Sequence, residues 1–170
     1  MKDMANDLML KKNIFYFVFV VTIFIIDRVS KILIIKSSDL TDNFNIFITS
    51  FLNFNLIWND GIAFGLFSFE ESYIYNFITI IILTVIIFVF VMIIKSEGVK
   101  HYSLLIIFSG AIGNLYDRIS YKAVPDFIDV HIGEFHWFIF NIADIFITLG
   151  VLCLIYDEIF LEKKRDENNF

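Results

Sequence analysis

FNIADIFITLGVLCLIY, Phe140 to Tyr156, decides how this chain is read. It is predominantly apolar and reads as a lipid-facing helix, except for Asn141 and Asp144, three residues apart near its start. The apolar block that holds it runs from about Trp137 to Phe160. Asp144 then lies about two turns into that helix, too deep for so short a side chain to snorkel easily. A carboxylate at the centre of a membrane helix costs about 2.5–3.5 kcal/mol on insertion scales, so its presence is by default a functional hypothesis.

The rest of the chain has the same character. Of its 170 residues 58% are hydrophobic, with 22 Phe and 1 Pro; soluble domains run at about 45–50% apolar. The apolar residues come in long blocks. Crossing a bilayer takes about 20 of them in a helix. Blocks at about 14–35, 73–94 and 137–160 qualify, and a shorter, glycine-interrupted one at about 102–120 is marginal. The expected fold is an all-α membrane protein: one domain of four transmembrane helices, with a small extracytoplasmic β-sheet on the membrane surface. The first block is too long for a signal peptide and ends in DRVSK, so it reads as a retained helix.

Lys and Arg set the orientation. With an even number of spans both termini share a side, which carries eight of the 13 basic residues. Both termini are therefore expected in the cytoplasm. The outer segment at about 37–71 alternates in FNIFITSFLNFNLIW and then turns at Asn-Asp-Gly, which predicts the sheet. A second outer segment, Ser120 to His136, reads as a short loop with a strand-like VPDFIDVHI. The net charge of −6 says little about partners, and the sequence has no basic patch suited to nucleic acid. Cys153, the single cysteine, excludes an intrachain disulfide and reads as a small helix hydrophobe.

Each polar cluster has a plain structural reading. Asp27 and Lys31 form an i, i+4 helix pair. Asn59, Gly61, Ala63 and Phe64 sit in what can be an ordinary turn. Gly110, Asn114 and Asp117 or Arg118 share a helix face, where small residues allow close approach. A packing seam needs the glycines but not the Asn, Asp and Arg. Asp126 alone is a surface aspartate. All these residues lie toward the outer ends of helices one, three and four or in the outer segments, as a single site near the outer leaflet predicts.

Two carboxylates sharing such a site suggest aspartyl hydrolysis, because like-charge repulsion keeps one of them protonated. A zinc peptidase wants H-E-x-x-H on a helix. His131, Glu134 and His136 make H-x-x-E-x-H in an expected loop, so neither a metal nor any other cofactor is expected. Ser109 before Gly110 faintly suggests a membrane serine protease, but no histidine is well placed on a later helix. A proton-coupled carrier is the non-enzymatic rival. It predicts inverted repeats and mid-membrane polar groups, neither of which is seen.

Five motifs occur in order: DRVSK at Asp27–Lys31, NDGIAF at Asn59–Phe64, GAIGNLYDR at Gly110–Arg118, VPDF at Val124–Phe127 and FNIAD at Phe140–Asp144. In this order and spacing the chain closely resembles the lipoprotein signal peptidase (signal peptidase II) family, four-helix aspartyl proteases of the bacterial inner membrane. The resemblance implies that Asp126 and Asp144 are the catalytic dyad. It implies that Asn114, Arg118 and Asn141 support the dyad and the substrate backbone. Asp27, with Lys31 beside it, matches a functionally important acid, and Asn59 and Gly61 match a substrate-holding surface motif. The implied activity is cleavage of lipid-modified prolipoproteins just before a diacylglyceryl cysteine, near the outer leaflet, by an enzyme contacting membrane lipid and expected as a monomer. Three departures stand out. Ser109 replaces a usual glycine and is expected to push helices three and four slightly apart. Arg28 adds a charge near the site. Phe138 and Ile139 occupy a region that often holds proline.

Overall fold

The computed structural model describes residues 2–40, 44–60 and 72–162. The described residues form four α-helices and two strand pairs. Helix α1 spans Lys2–Ser38, and strands β1 (Ile46–Thr49) and β2 (Leu52–Asn59) follow. Helices α2 (Ser72–Lys95) and α3 (Gly98–Tyr121) come next, then strands β3 (Val124–Ile132) and β4 (Phe135–Phe140). Helix α4 (Ile142–Tyr156) runs on into a π-helical turn, Asp157–Glu162. The strands form one antiparallel sheet in the order β1-β2-β3-β4.

Local chemistry fixes where the helices stop. Lys122 takes a left-handed φ of 61° and ends α3, as a left-handed C-terminal residue does. At the start of α4, Asn141 is extended and caps the helix, with Asp144 closing a reciprocal capping box. Strand β4 occupies Phe135–Phe140. Helix α4 therefore starts at Ile142 rather than near Trp137, and Asp144 sits in its first turn, not two turns deep. FHWFIF is as apolar as the helix after it, so hydropathy alone could not divide the two. The expected loop after α3 is likewise a full strand: β3 pairs with β2 on one side and β4 on the other. The sheet thus reaches beyond the predicted 37–71 segment.

The chain order places the sheet. One strand pair joins the end of α1 to the start of α2, and the other joins the end of α3 to the start of α4. Ile34, Phe127 and Ile128 form an apolar cluster here, with Phe54, Phe140 and Ile145 against it. Farther along the bundle Ile93, Leu104 and Leu105 form a second cluster with Tyr16, Phe19 and Leu154. Between them along α1 lie Asp27, Arg28 and Lys31, all buried. A charged layer is therefore held between two apolar ones.

Helices α3 and α4 meet closely enough to need glycine. A Cβ on Gly110 would lie 2.5 Å from the Ala143 carbonyl oxygen. Ser109 does not hold the helices apart, because its hydroxyl turns back onto its own helix and donates to the Leu105 carbonyl at 2.6 Å. The outside of the bundle is apolar: Phe17, Phe77, Phe88, Ile94 and Leu152 are among many exposed large side chains. By length and composition Tyr75–Lys95 is long and apolar enough to cross a membrane.

Candidate active site

The polar groups of α1, α3, α4 and the sheet form one connected network. Asp126 on β3 accepts from the side-chain amide of Asn141 at 2.6 Å and from that of Asn59 on β2 at 3.0 Å. Asp144 accepts from the backbone N–H of Asn141 at 3.0 Å and from the Asn114 amide on α3 at 2.7 Å. Asn141 therefore touches both carboxylates. Its own Oδ1 accepts from the Asp144 backbone N–H at 3.1 Å. Because the capping box orients Asn141, the geometry that starts α4 also holds Asp126 in place.

Lys31 carries the network onward. Its ammonium donates to Asn114 Oδ1 at 2.9 Å, to Asp117 at 2.7 Å and to Asp27 at 3.0 Å. Those three acceptors use the three donors of an ammonium. Asp27 also accepts from the Ala143 backbone N–H at 3.0 Å, tying α1 to the first turn of α4. Arg28 donates to Asp27 at 2.8 Å and forks onto Asp117, with one bond to Asp117 Oδ2 at 2.7 Å and another to Oδ1. Its guanidinium centre lies 4.9 Å from the Tyr116 ring centroid and 5.9 Å from that of Phe24. Two cations thus meet two buried carboxylates. Burying such charges is tolerable only when they are paired and hydrogen-bonded in this way.

Gly113 makes room for this arrangement. A Cβ there would stand 2.7 Å from Asp27 Oδ2. Asp126 lies on the sheet, outside the helices. Burial pushes its pKa up to about 6. The charge of Asp144 adds to that rise, while the Asn59 and Asn141 amides and the more distant Lys31 oppose it. Asp126 is consequently a carboxyl that can carry a proton near neutral pH, beside a second carboxyl joined to it through one asparagine.

Seven of the predicted site residues fall within this network: Asp27, Lys31, Asn59, Asn114, Asp126, Asn141 and Asp144. Arg118 stands apart from it: its backbone carbonyl accepts from Tyr75 at 2.7 Å, and its Nη1 is buried with no hydrogen-bond partner among the described residues. Gly61, with Ala63 and Phe64, lies outside the described residues. Two residues carry more than the sequence reading gave them. Asp117 was named only as an alternative to Arg118, yet it is fully buried and binds both cations. Arg28, noted only as an extra charge, completes the balance. The signal was available: Arg28 and Lys31 beside the single acid Asp27 call for a second buried acid.

Residues 19–160 match the family described as signal peptidase (SPase) II. A lipoprotein signal peptidase of Pelagibacter ubique (strain HTCC1062) is 50% identical over 165 residues, covering 96% of this chain and 99% of that one. A lipoprotein signal peptidase of Anaplasma marginale (strain Florida) is 37% identical, covering 91% and 90%. Among solved structures, a bacterial membrane enzyme at 2.3 Å resolution aligns with a TM-score of 0.66 at 30% identity, covering 91% of this chain and 90% of that one. A second, at 1.9 Å, aligns with a TM-score of 0.67 at 31% identity, covering 85% and 92%.

Proposed function

The chain belongs to the signal peptidase II family, and on that premise we propose that it is an aspartyl endopeptidase of the bacterial inner membrane. It removes the signal peptide from diacylglyceryl-modified prolipoproteins, cutting just before the lipidated cysteine, with Asp126 and Asp144 as its catalytic pair. The observation that carries this reading is the single asparagine, Asn141, bonded to both carboxylates.

The chemistry follows from one shared proton. The ionised carboxylate takes a proton from water, and the water oxygen attacks the scissile carbonyl carbon. The protonated carboxyl donates to the carbonyl oxygen, so the tetrahedral intermediate forms without a full oxyanion. As it collapses, the C–N bond breaks, and the proton taken from water goes to the departing amine. The pair titrates as a unit. Asn59, Asn114 and Asn141 keep both carboxyls aimed. Lys31, through Asn114, fixes that orientation from the charged layer. The buried Nη1 of Arg118 is a donor suited to a substrate backbone carbonyl.

Four spans suit this substrate. The exposed apolar side chains of the helices would face acyl chains, and the network lies at the end of the bundle where the sheet sits. With both termini in the cytoplasm, that end faces the outer leaflet. A diacylglyceryl cysteine at the leaflet surface would meet Asp126 and Asp144 while its lipid stayed in the bilayer. The enzyme would work as a monomer, its partners being the substrate and surrounding lipid.

The test is cleavage of a diacylglyceryl-modified prolipoprotein by purified protein in detergent, followed by gel shift. Wild type should cleave. Asp126→Asn and Asp144→Asn should insert and fold but lose turnover. Near-wild-type activity in either folded variant refutes the dyad.

A further inference from the structure

Asp129, His131 and His136 lie beyond the catalytic network, on the β3–β4 hairpin. One ligand atom from each gathers within 4.8 Å of the other two. Register brings the two histidines together. They face each other across the strands, joined by the short Gly133–Glu134 turn, and their rings stack at 5.2 Å between centroids. Four residues lie between them on a strand hairpin, which is why no helical zinc motif appears.

Three features suit this trio to a cation. Asp129 is buried, 1% exposed, with both carboxylate oxygens 2.9 Å from His136 Nδ1. His131 is 8% exposed, and its Nδ1 has no hydrogen-bond partner among the described residues. A buried polar nitrogen without a partner is destabilising, and a ligand would remove that cost. Asn53, paired with Asp129 across β2, also has a buried Oδ1 without a partner among the described residues. Opposed residues share a sheet face, so a further oxygen lies beside the carboxylate. His136 is exposed and leaves the site open to solvent.

We infer that Asp129, His131 and His136 form a binding site for a divalent transition-metal ion of the zinc class. Two imidazoles and a carboxylate suit such ions, and three protein ligands leave a fourth position for water. With ligand atoms about 2.0–2.2 Å from zinc, neighbouring ligand atoms lie about 3.3 Å apart. The Asp129–His136 pair is already near that spacing, and side-chain rotation closes the rest. The ion takes the place of the direct contact between His136 Nδ1 and the Asp129 carboxylate. It also clips β3, which carries Asp126, to β4, which leads into Asn141.

The test uses the full, untagged chain in detergent. Zinc is titrated against a chromophoric chelator, and cobalt(II) is followed by its visible absorption. Wild type should bind one zinc ion with micromolar or tighter affinity and give tetrahedral cobalt bands. His131→Ala and Asp129→Asn should each weaken binding about 100-fold or more. His136→Ala, at an exposed position where folding is not at stake, should do the same and abolish the zinc-induced rise in melting temperature. Asp126→Asn/Asp144→Asn should bind as wild type does. Unchanged binding in His136→Ala, no saturable binding by wild type, or loss of binding only in the Asp126/Asp144 variant each overturns the assignment.

Discussion

The Asn141 side chain donates to Asp126 across 2.6 Å while its own backbone N–H donates to Asp144. Removing that side chain breaks the N-cap and frees one oxygen of Asp126 together. Asn141→Ala should cost about 1 kcal/mol for the cap and lower kcat by about 100-fold, the scale of an ångström-sized misplacement. Asn141→Ser keeps a cap acceptor but loses the amide donor to Asp126. It should recover thermal stability without recovering turnover. Parallel melting curves and cleavage rates in detergent separate the two effects.

Asp126 gives stability a definite dependence on pH. Its pKa in the folded protein is raised to about 6, against about 3.9 for a free aspartate. Between those values the folded state holds the proton more tightly than the unfolded state. This contribution is fully present below about pH 4 and is lost as pH rises through about 6. Asp126→Asn has no such proton. The melting temperature of wild type minus that of the variant should therefore fall by a few degrees between pH 4 and pH 7. A flat difference contradicts the buried, proton-holding carboxyl.

Gly110 faces the Ala143 backbone most closely, which cannot swing aside as a side chain can. Gly110→Ala places a Cβ 2.5 Å from the Ala143 oxygen and 2.9 Å from Ile147. Such overpacking costs about 1–3 kcal/mol. The helices should part at the turn that carries Asp144, lowering both melting temperature and turnover. Gly133 has open space around its Cβ direction, so Gly133→Ala should carry only the smaller cost of a left-handed φ, about 1–2 kcal/mol, and keep its activity.

Lys31 is fully buried against two carboxylates. Removing one partner from a buried ionic group costs about 3–5 kcal/mol, since the remaining charge lacks compensation. Lys31→Met should show a loss of that size in denaturant unfolding. Adding Asp117→Asn restores the balance, with Arg28 left to Asp27, and should return at least half of it.

The helices were legible because long apolar blocks leave few alternatives, and the motifs held most of the residues that the structure gathers into one network. The boundary between Phe140 and Asn141 was not legible. FHWFIF and IADIFITLG are both apolar, and only pairing of β4 with β3 separates strand from helix. Asp117 was undervalued because Asp and Arg stand side by side in YDR, and one sequence cannot say which faces inward. On the β3–β4 hairpin the two histidines were weighed with Glu134, and Asp129 was missed for a related reason: strand pairing, not spacing, brings it beside His136.

The two carboxyls of the proposed dyad ride on different kinds of element. Asp126 belongs to a strand held by β2 and β4, and Asp144 to the first turn of a helix in the bundle. A newly inserted chain whose helices have packed, but whose sheet has not yet settled onto them, owns half a catalytic centre. On the proposed dyad, cleavage then requires the sheet to be seated on the bundle as well as the helices to be packed within it.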